Sequence, residues 1–391
     1  MIFFEEALDI VRNSAYAMET EKVGFMDSLH RVLAEDVNSD MQMPPFDKSA
    51  VDGYACRKED MLNELEVIEL IPAGKAPQKK VGKNQCSKIM TGASVPEGAD
   101  IVLMVEDTEE TGENRIKYLK DNVKDNVCYL GEDVKEGELL IPNGTLVKPQ
   151  HIAVLATAGC VEPLVYKKVK VGVISTGDEL VEPHIKPAIS QIRNSNAYQL
   201  LSQVENLGVE ARYIGIALDT EESTREMLVK AFEDNDVILL SGGVSMGDFD
   251  HVPKVLNELD VELKFKSIAV QPGRPTVFGV RGKQFIFGLP GNPVSSFVQF
   301  ELLVKPLIYG LMGFDFQAVK LKLPMGKEYA RRKSSRLSWM PAKVNMNGEV
   351  IPIDYHGSAH INALTLADGM ISIPIGKTKL EKGELVELRE I

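Results

Sequence analysis

Three short runs of aliphatic and aromatic residues, each broken off by a glycine-rich turn, punctuate the middle and later parts of the chain. The first is Val171-Gly172-Val173-Ile174, running into Ser175-Thr176-Gly177-Asp178-Glu179-Leu180. The second is Val237-Ile238-Leu239-Leu240, running into Ser241-Gly242-Gly243-Val244-Ser245-Met246-Gly247-Asp248-Phe249-Asp250. The third is Phe285-Ile286-Phe287, running into Gly288-Leu289-Pro290-Gly291-Asn292-Pro293-Val294-Ser295-Ser296. Each predicts a strand, then a loop, then a helix. Unbroken apolar runs suit strands buried on both faces, and helical stretches between them imply right-handed crossovers in a parallel sheet. The carboxyl ends of such strands share one edge, where ligands bind. After Asn194-Ser195, Leu200, Leu201, Val204 and Leu207 recur at helical spacing until Gly208. After Asp219, Thr224, Met227, Leu228, Ala231 and Phe232 form a second apolar stripe, with Glu222 placed for a capping box. Asn292-Pro293 reads as a cap and first helical residue. Two of the three loops therefore aim amide N–H groups at a common crevice, which is an anion site.

Outside this region the periodicity changes. Ala7, Ile10, Val11 and Ala15 share a helical face, and a second short helix is expected near Asp27 to Leu33. From Asp36 the chain is extended, and Pro44-Pro45 forbids helix and marks a crossing between domains. Short strands follow between turn residues, at Glu66 to Ile71, Cys86 to Met90, Ile101 to Glu106 and Arg115 to Tyr118. Helix returns around His151 to Ala158. The end of the chain reads as strands and turns, with Asn345-Met346-Asn347-Gly348 as a hairpin signal and Lys377 to Lys382 as a charged turn. The expected domains are a helical and extended segment (1–47 plus 144–167), a small all-β domain (48–143), an α/β domain (168–313) and a C-terminal β-barrel (318–391).

Composition narrows the function classes. The 391 residues exceed one ordinary core, are 44% hydrophobic and 26% charged, and carry a formal net charge of −13. That charge argues against nucleic acid as a partner, because neutralising phosphates needs a basic face. Cys56, Cys86, Cys128 and Cys160 show no metal-binding spacing, so a reducing compartment is expected. The acidic start Met1-Ile2-Phe3-Phe4-Glu5-Glu6 lacks a signal-peptide core, and no apolar run reads as membrane-spanning. The expectation is a soluble, cytoplasmic protein with no membrane partner.

Candidate chemistry gathers at the loops. Ser241-Gly242-Gly243 with Ser245 and Gly247 reads either as a tight turn or as a phosphate cradle, and Asp248 and Asp250 beside it make sense if a divalent cation bridges carboxylate and phosphate. Asp219, Asp178 and Glu179 read either as helix caps or as ligands. His251 reads as a first-turn polar residue, and the six histidines form no ligand cluster. Gln271-Pro272-Gly273-Arg274-Pro275 is a rigid turn presenting a guanidinium, and Arg332, Lys333 and Arg336 form a basic group. Turn geometry accounts for Asp52-Gly53-Tyr54 and Thr91-Gly92-Ala93. The residues alone reach a phosphate-bearing or oxyanion ligand, with magnesium, and no further.

Pro44-Pro45-Phe46-Asp47-Lys48-Ser49-Ala50-Val51-Asp52-Gly53-Tyr54-Ala55, Met90-Thr91-Gly92-Ala93 and the three glycine loops stand in this order along the chain. Together they resemble the molybdopterin molybdotransferase family, the MoeA proteins and the E domain of gephyrin, over nearly the whole length. The resemblance implies an α/β plus β fold: an elongated homodimer of four-domain subunits with a parallel-sheet, MogA-like molybdopterin-binding domain. It implies a magnesium-dependent transferase that converts adenylylated molybdopterin and molybdate to molybdenum cofactor, releasing AMP. By motif, Asp52, Thr91, Asp133 in Gly131-Glu132-Asp133, Glu179, Asp219 and Asp250 resemble the family's functional acidic and polar positions. Ser175, Thr176, Gly177, Ser241, Gly242, Gly243, Ser245, Gly247, Pro290, Gly291, Asn292, Pro293, Arg274, Arg336 and Ser358 resemble its pterin and molybdate region. Gln271 and Arg274 stand where the family often has lysine. Asp219 and Asp250, following what read as neighbouring strands, are the expected magnesium ligands, and Arg274 and Arg336 the expected molybdate ligands. The implied partners are a second copy of the chain, with residues of both completing the site, and an upstream molybdopterin adenylyltransferase. That adenylyltransferase is itself a competing reading, as are a tungstate-inserting relative and a gephyrin-like scaffold.

Overall fold

The computed structural model describes residues 1–244, 251–354 and 357–391. The chain divides into two compact units: Met1–Glu35, Asn143–Pro149 and Glu162–Ile391 form one, and Asp36–Pro142 with Gln150–Val161 form the other.

The second unit is built on a six-stranded sheet in the order Ile101–Met104, Gly53–Cys56, Gln85–Ile89, Glu64–Ile71, Arg115–Tyr118, Thr108–Gly112. Four of its strands match the runs read from sequence, Arg115–Tyr118 at both ends, whereas Gly53–Cys56 and Thr108–Gly112 are not among them. Asp52-Gly53-Tyr54 is not the turn expected. Gly53 opens a strand and lies so close to its neighbour that a Cβ there would sit 1.9 Å from the Leu103 carbonyl oxygen. Glycine is needed at that position for backbone approach.

The first unit holds the α/β domain. Strand β1 (Lys170–Thr176) leads through helix α1 (Asn196–Glu205) to β2 (Glu210–Ala217), and helix α2 (Glu221–Phe232) leads on to β3 (Val237–Ser241). Helix α3 (Val252–Glu258), β4 (Glu262–Phe265), β5 (Val277–Arg281), β6 (Gln284–Leu289) and helix α4 (Pro293–Gln299) follow. The sheet order is β2-β1-β3-β6-β5-β4. The first four are parallel, as expected, whereas β5, next to the edge strand β4, runs antiparallel to both of its neighbours, β6 and β4. The antiparallel pair arises because β5 and β6 are joined by a tight turn at Gly282, with φ of 58°, which leaves no room for a crossover helix. Successive residues of each central strand enter opposite cores. Val171, Val173, Val237, Leu239, Phe285 and Phe287 pack on one face with Ala7 and Val11 of the N-terminal helix, while Ile174, Ile238, Leu240 and Ile286 face Leu228, Val255 and Leu256. Burial on both faces explains the unbroken apolar runs.

Three further expectations need correction. The segment near Asp27 to Leu33 is a 3-10 turn at Phe25–Ser28 only, because Val32 and Leu33 are drawn into bridges with Leu146 and Val165. Helix α2 is capped by Thr220, whose hydroxyl accepts from the Ser223 N–H, and not by Asp219. Lys377 to Lys382 is only partly a turn, since Lys379–Leu380 pairs with Tyr329–Ala330. The hairpin at Asn345 to Gly348 forms as read, joining Leu337–Val344 to Val350–Pro352.

The run Pro293–Leu311 has 19 helical residues, long and apolar enough to cross a membrane, contrary to the sequence reading. It is 83% buried inside the fold, and its charges Lys305 and Glu301 pair with each other at 2.9 Å. Midway it widens to a π turn at Phe300–Val304, just before Pro306, which has no N–H for the regular ladder.

A C-terminal sheet completes this unit, in the order Val270–Gln271, Leu337–Val344, Gly369–Ile373, Leu385–Glu390, Lys320–Pro324. Its first strand comes from the α/β domain. Val270 and Gln271 pair in parallel with Leu337 and Ser338, which ties the Arg274 turn to the C-terminal sheet.

Candidate functional site

The carboxyl ends of β1, β3 and β6 open into a cleft of about 570 Å³. Ser175, Thr176, Gly177, Glu179, Asp219, Ser241, Gly242, Gly243, Pro290, Gly291, Asn292 and Pro293 all line it. Tight backbone approach builds the floor. Gly242 has φ of 99°, and a Cβ there would lie 2.6 Å from Thr176 Oγ1 and 2.8 Å from the Thr176 carbonyl oxygen. No side chain fits between the first and second loops. The third loop sits in ordinary contact with the second, a Cβ at Gly291 falling 3.6 Å from the Gly242 Cα.

The amide inventory is smaller than sequence implied. Gly177 N–H donates to the Ala217 carbonyl, Gly242 N–H to Leu289, and Val294 N–H, at the start of α4, to Ser358. Among the described residues the N–H groups of Gly243, Gly291 and Asn292 make no hydrogen bond, so the second and third loops do present donors. Ser358 acts at this edge through its carbonyl, and its neighbours Ala359 and Ile361 line the cleft.

Asn194, read from sequence as part of a helix cap, and Asn196, which the sequence reading missed, organise the walls. Asn194 accepts from Ser175 Oγ at 2.9 Å and donates to Tyr213 Oη at 3.0 Å, and Tyr213 donates to Glu182 at 2.6 Å. Burial and that carboxylate push the Tyr213 phenol well above its usual range. Asn196, 9% exposed, donates both to Ser241 Oγ and to the Gly291 carbonyl, each at 2.7 Å. Arg193 adds a cation to the lining. The signal was the polar run Arg193-Asn194-Ser195-Asn196 ahead of an apolar stripe, longer than one cap needs.

Asp219 sits at the cleft edge, held reciprocally with Asp178: Asp178 N–H donates to Asp219 Oδ2 at 3.3 Å, and Asp219 N–H to Asp178 Oδ1 at 3.0 Å. The strands β2 and β3 that precede Asp219 and Asp250 are not neighbours, because β1, buried from Val171 to Thr176, takes the interior position between them. Asp250, Ser245 and Gly247 lie outside the described residues. Among the described residues no cluster of three acidic, histidine or cysteine side chains could enclose a metal ion.

Arg274 and Arg336 do not line the cleft, though Pro275 does. They lie near each other: burial and the neighbouring Arg274 guanidinium push Arg336 below the ordinary arginine range. Arg336 is placed by donating to the Val270 carbonyl at 3.4 Å, and Arg331 donates to the Arg336 carbonyl at 2.9 Å. Neither Arg274 nor Arg336 pairs with a carboxylate among the described residues.

Asp52, Thr91 and Asp133 belong to the other unit. Asp52 Oδ1 accepts from Thr91 N–H at 2.6 Å and from Thr91 Oγ1 at 2.8 Å, which holds its carboxyl below the usual aspartate range. Asp133 is exposed in a turn where its N–H donates to the Met43 carbonyl.

Three family models match in succession: the MoeA N-terminal region (domain I and II) at 2–159, a probable molybdopterin binding domain at 172–310, and the MoeA C-terminal region (domain IV) at 323–390. A molybdopterin molybdenumtransferase of Staphylococcus epidermidis is 32% identical over 99% of this chain and 95% of its own length. One of Bacillus subtilis is 33% identical over 95% of this chain and 89% of its own. The crystal structure of the molybdopterin biosynthesis moeA protein from Pyrococcus horikoshii OT3 is similar across 100% of both chains, with a TM-score of 0.84 and 31% identity.

Proposed function

From the premise that this chain belongs to the MoeA family, we propose that it inserts molybdate into adenylylated molybdopterin and releases AMP, as a molybdopterin molybdenumtransferase of molybdenum cofactor biosynthesis. The observation that carries the reaction is the pairing of two features on one unit. One is a cleft whose loops offer the Gly243, Gly291 and Asn292 amides beside carboxylates, and the other is a pair of guanidinium groups with no anionic partner among the described residues. Molybdate is a dianion, and two adjacent cations relieve their mutual repulsion by binding it.

Asp219 and Glu179 bring hard carboxylate oxygens to the cleft, the donor type that magnesium prefers, and Asp250 is proposed to join them. Magnesium bound there would neutralise charge on the phosphate linkage. The chain's own groups then act on the substrate. The amides of the second and third loops hold its anionic oxygens, and the fixed backbone of Gly242 and Gly291 keeps that cradle from relaxing. Arg274 and Arg336 hold molybdate. Replacing either arginine with alanine is expected to raise the molybdate requirement by roughly ten- to a hundredfold, the loss of a charge-assisted contact of about 1.5 to 3 kcal/mol. Pterin affinity should change little. Titration of molybdate at saturating pterin reads this, and equal weakening of both ligands would show that the arginines do not belong to the oxyanion.

The substrate is proposed to come from a molybdopterin adenylyltransferase, and the protein to act in the cytoplasm as a homodimer. Acidic candidates fall in both units, with Asp52 and Asp133 in one and Glu179 and Asp219 in the other. If two copies share a site, mixing the inactive variants Asp52→Ala and Asp219→Ala should restore part of the activity through heterodimers. No recovery after verified subunit exchange would show that each chain works alone.

A further inference from the structure

Asn196 is used twice by the fold and has one atom to spare. Both hydrogens of its side-chain amide are committed, one to Ser241 Oγ and one to the Gly291 carbonyl, each at 2.7 Å. These bonds pin the second loop to the third. They also fix which way the amide faces, since turning it over would set its oxygen against the Gly291 carbonyl oxygen. Asn196 lines the cleft, and its Oδ1 accepts no hydrogen bond among the described residues. The surrounding inventory is mostly of donors or acidic groups: the Gly243, Gly291 and Asn292 amides, Arg193, and the carboxylates of Glu179 and Asp219 at one end. A neutral acceptor whose orientation is locked by its own scaffold is suited to reading a neutral N–H group of the ligand.

We propose that Asn196 Oδ1 accepts a hydrogen bond from the exocyclic amine of a heteroaromatic ring bound in the cleft, so that Asn196 orients the substrate as well as joining the two loops. The proposal rests on the functional reading above, in which the substrate carries two such amines, one on the pterin and one on the adenine. Asn196 is a specificity contact for a neutral donor, separate from the groups that hold phosphate or molybdate.

The test pairs the protein variant with a ligand variant. Equilibrium binding is measured for a pterin and a lumazine bearing the same phosphorylated side chain at C6, in which the amine becomes an oxo group and the adjacent ring nitrogen gains a proton. The same is done for AMP against IMP, which differ likewise at the purine. In the unsubstituted protein one pair should differ by roughly tenfold, from a lost hydrogen bond of about 1 kcal/mol together with an oxygen placed against an oxygen. Asn196→Ala should bind both members of that pair equally. Discrimination in the pterin pair assigns the pterin amine, and discrimination in the nucleotide pair assigns the adenine amine. A loss of loop pinning alone would weaken both members equally and leave their ratio unchanged, so a ratio that survives in Asn196→Ala overturns the proposal. Equal binding of both pairs by the unsubstituted protein overturns it too, whether or not the variant folds. Should neither pair bind at all, the functional reading fails and the proposal falls with it, an outcome distinct from binding without discrimination.

Discussion

Gly242→Ala is expected to lower molybdate-dependent turnover by at least about a hundredfold and to destabilise the protein by roughly 1 to 3 kcal/mol. Two effects combine. The backbone of Gly242 has φ of 99°, where an L side chain is strained, and the added Cβ would meet Thr176 Oγ1 at 2.6 Å and its carbonyl at 2.8 Å. The carbonyl is main chain of β1, buried in the sheet interior, and cannot swing aside. The loops must therefore separate, which moves the Gly243 amide and the Asn196 pin together. Gly282→Ala provides the comparison: φ is 58°, and nothing lies within 4 Å of the new Cβ. That variant should show the modest cost of strain with normal turnover. Thermal melting and AMP release measured on both variants check this, and a fully active Gly242→Ala would refute the close approach as a functional feature.

Asp219→Asn is expected to keep the melting temperature while losing turnover by on the order of a hundredfold. Asparagine retains the carbonyl oxygen that accepts the Asp178 N–H, so the local hydrogen bond survives. The cap of α2 is unaffected because Thr220 supplies it. What disappears is the negative charge, which a hard-cation site requires. Thr220→Ala should behave in the opposite way, losing about 1 kcal/mol of stability through the missing cap while retaining activity. Magnesium titration separates the cases: an Asp219→Asn protein that turns over normally at limiting magnesium would remove Asp219 from the metal site.

The layout of the α/β domain was legible because its signals are local. Val171 to Ile174, Val237 to Leu240 and Phe285 to Phe287 are apolar without a break, and strands buried on both faces require that. The glycine loops were legible for the same reason, since Gly242 and Gly243 each take a positive φ. What escaped was non-local. The family resemblance paired Arg274 with Arg336, but no local pattern along the chain connects them. Their proximity comes from the parallel pairing of Val270 and Gln271 with Leu337 and Ser338, a short strand that no period-2 pattern announces. The order β2-β1-β3, which separates the strands before Asp219 and Asp250, likewise depends on which crossover goes to which side. Asn194 reads from sequence only as a helix start and Asn196 carries no signal of its own, so only tertiary contacts with Ser175, Ser241 and Gly291 reveal their use. Asp219 and Thr220 are adjacent and both suited to capping, so composition could not assign the cap.

The most direct test of the account is release of AMP from adenylylated molybdopterin by the purified protein with magnesium, before and after molybdate is added. The account expects little AMP without the oxyanion and, with it, one AMP for each molybdenum transferred to the pterin, with tungstate run in parallel to show which oxyanion the arginine pair prefers. AMP release that ignores both oxyanions, or metal insertion without AMP release, would contradict the assignment of this cleft to molybdate transfer.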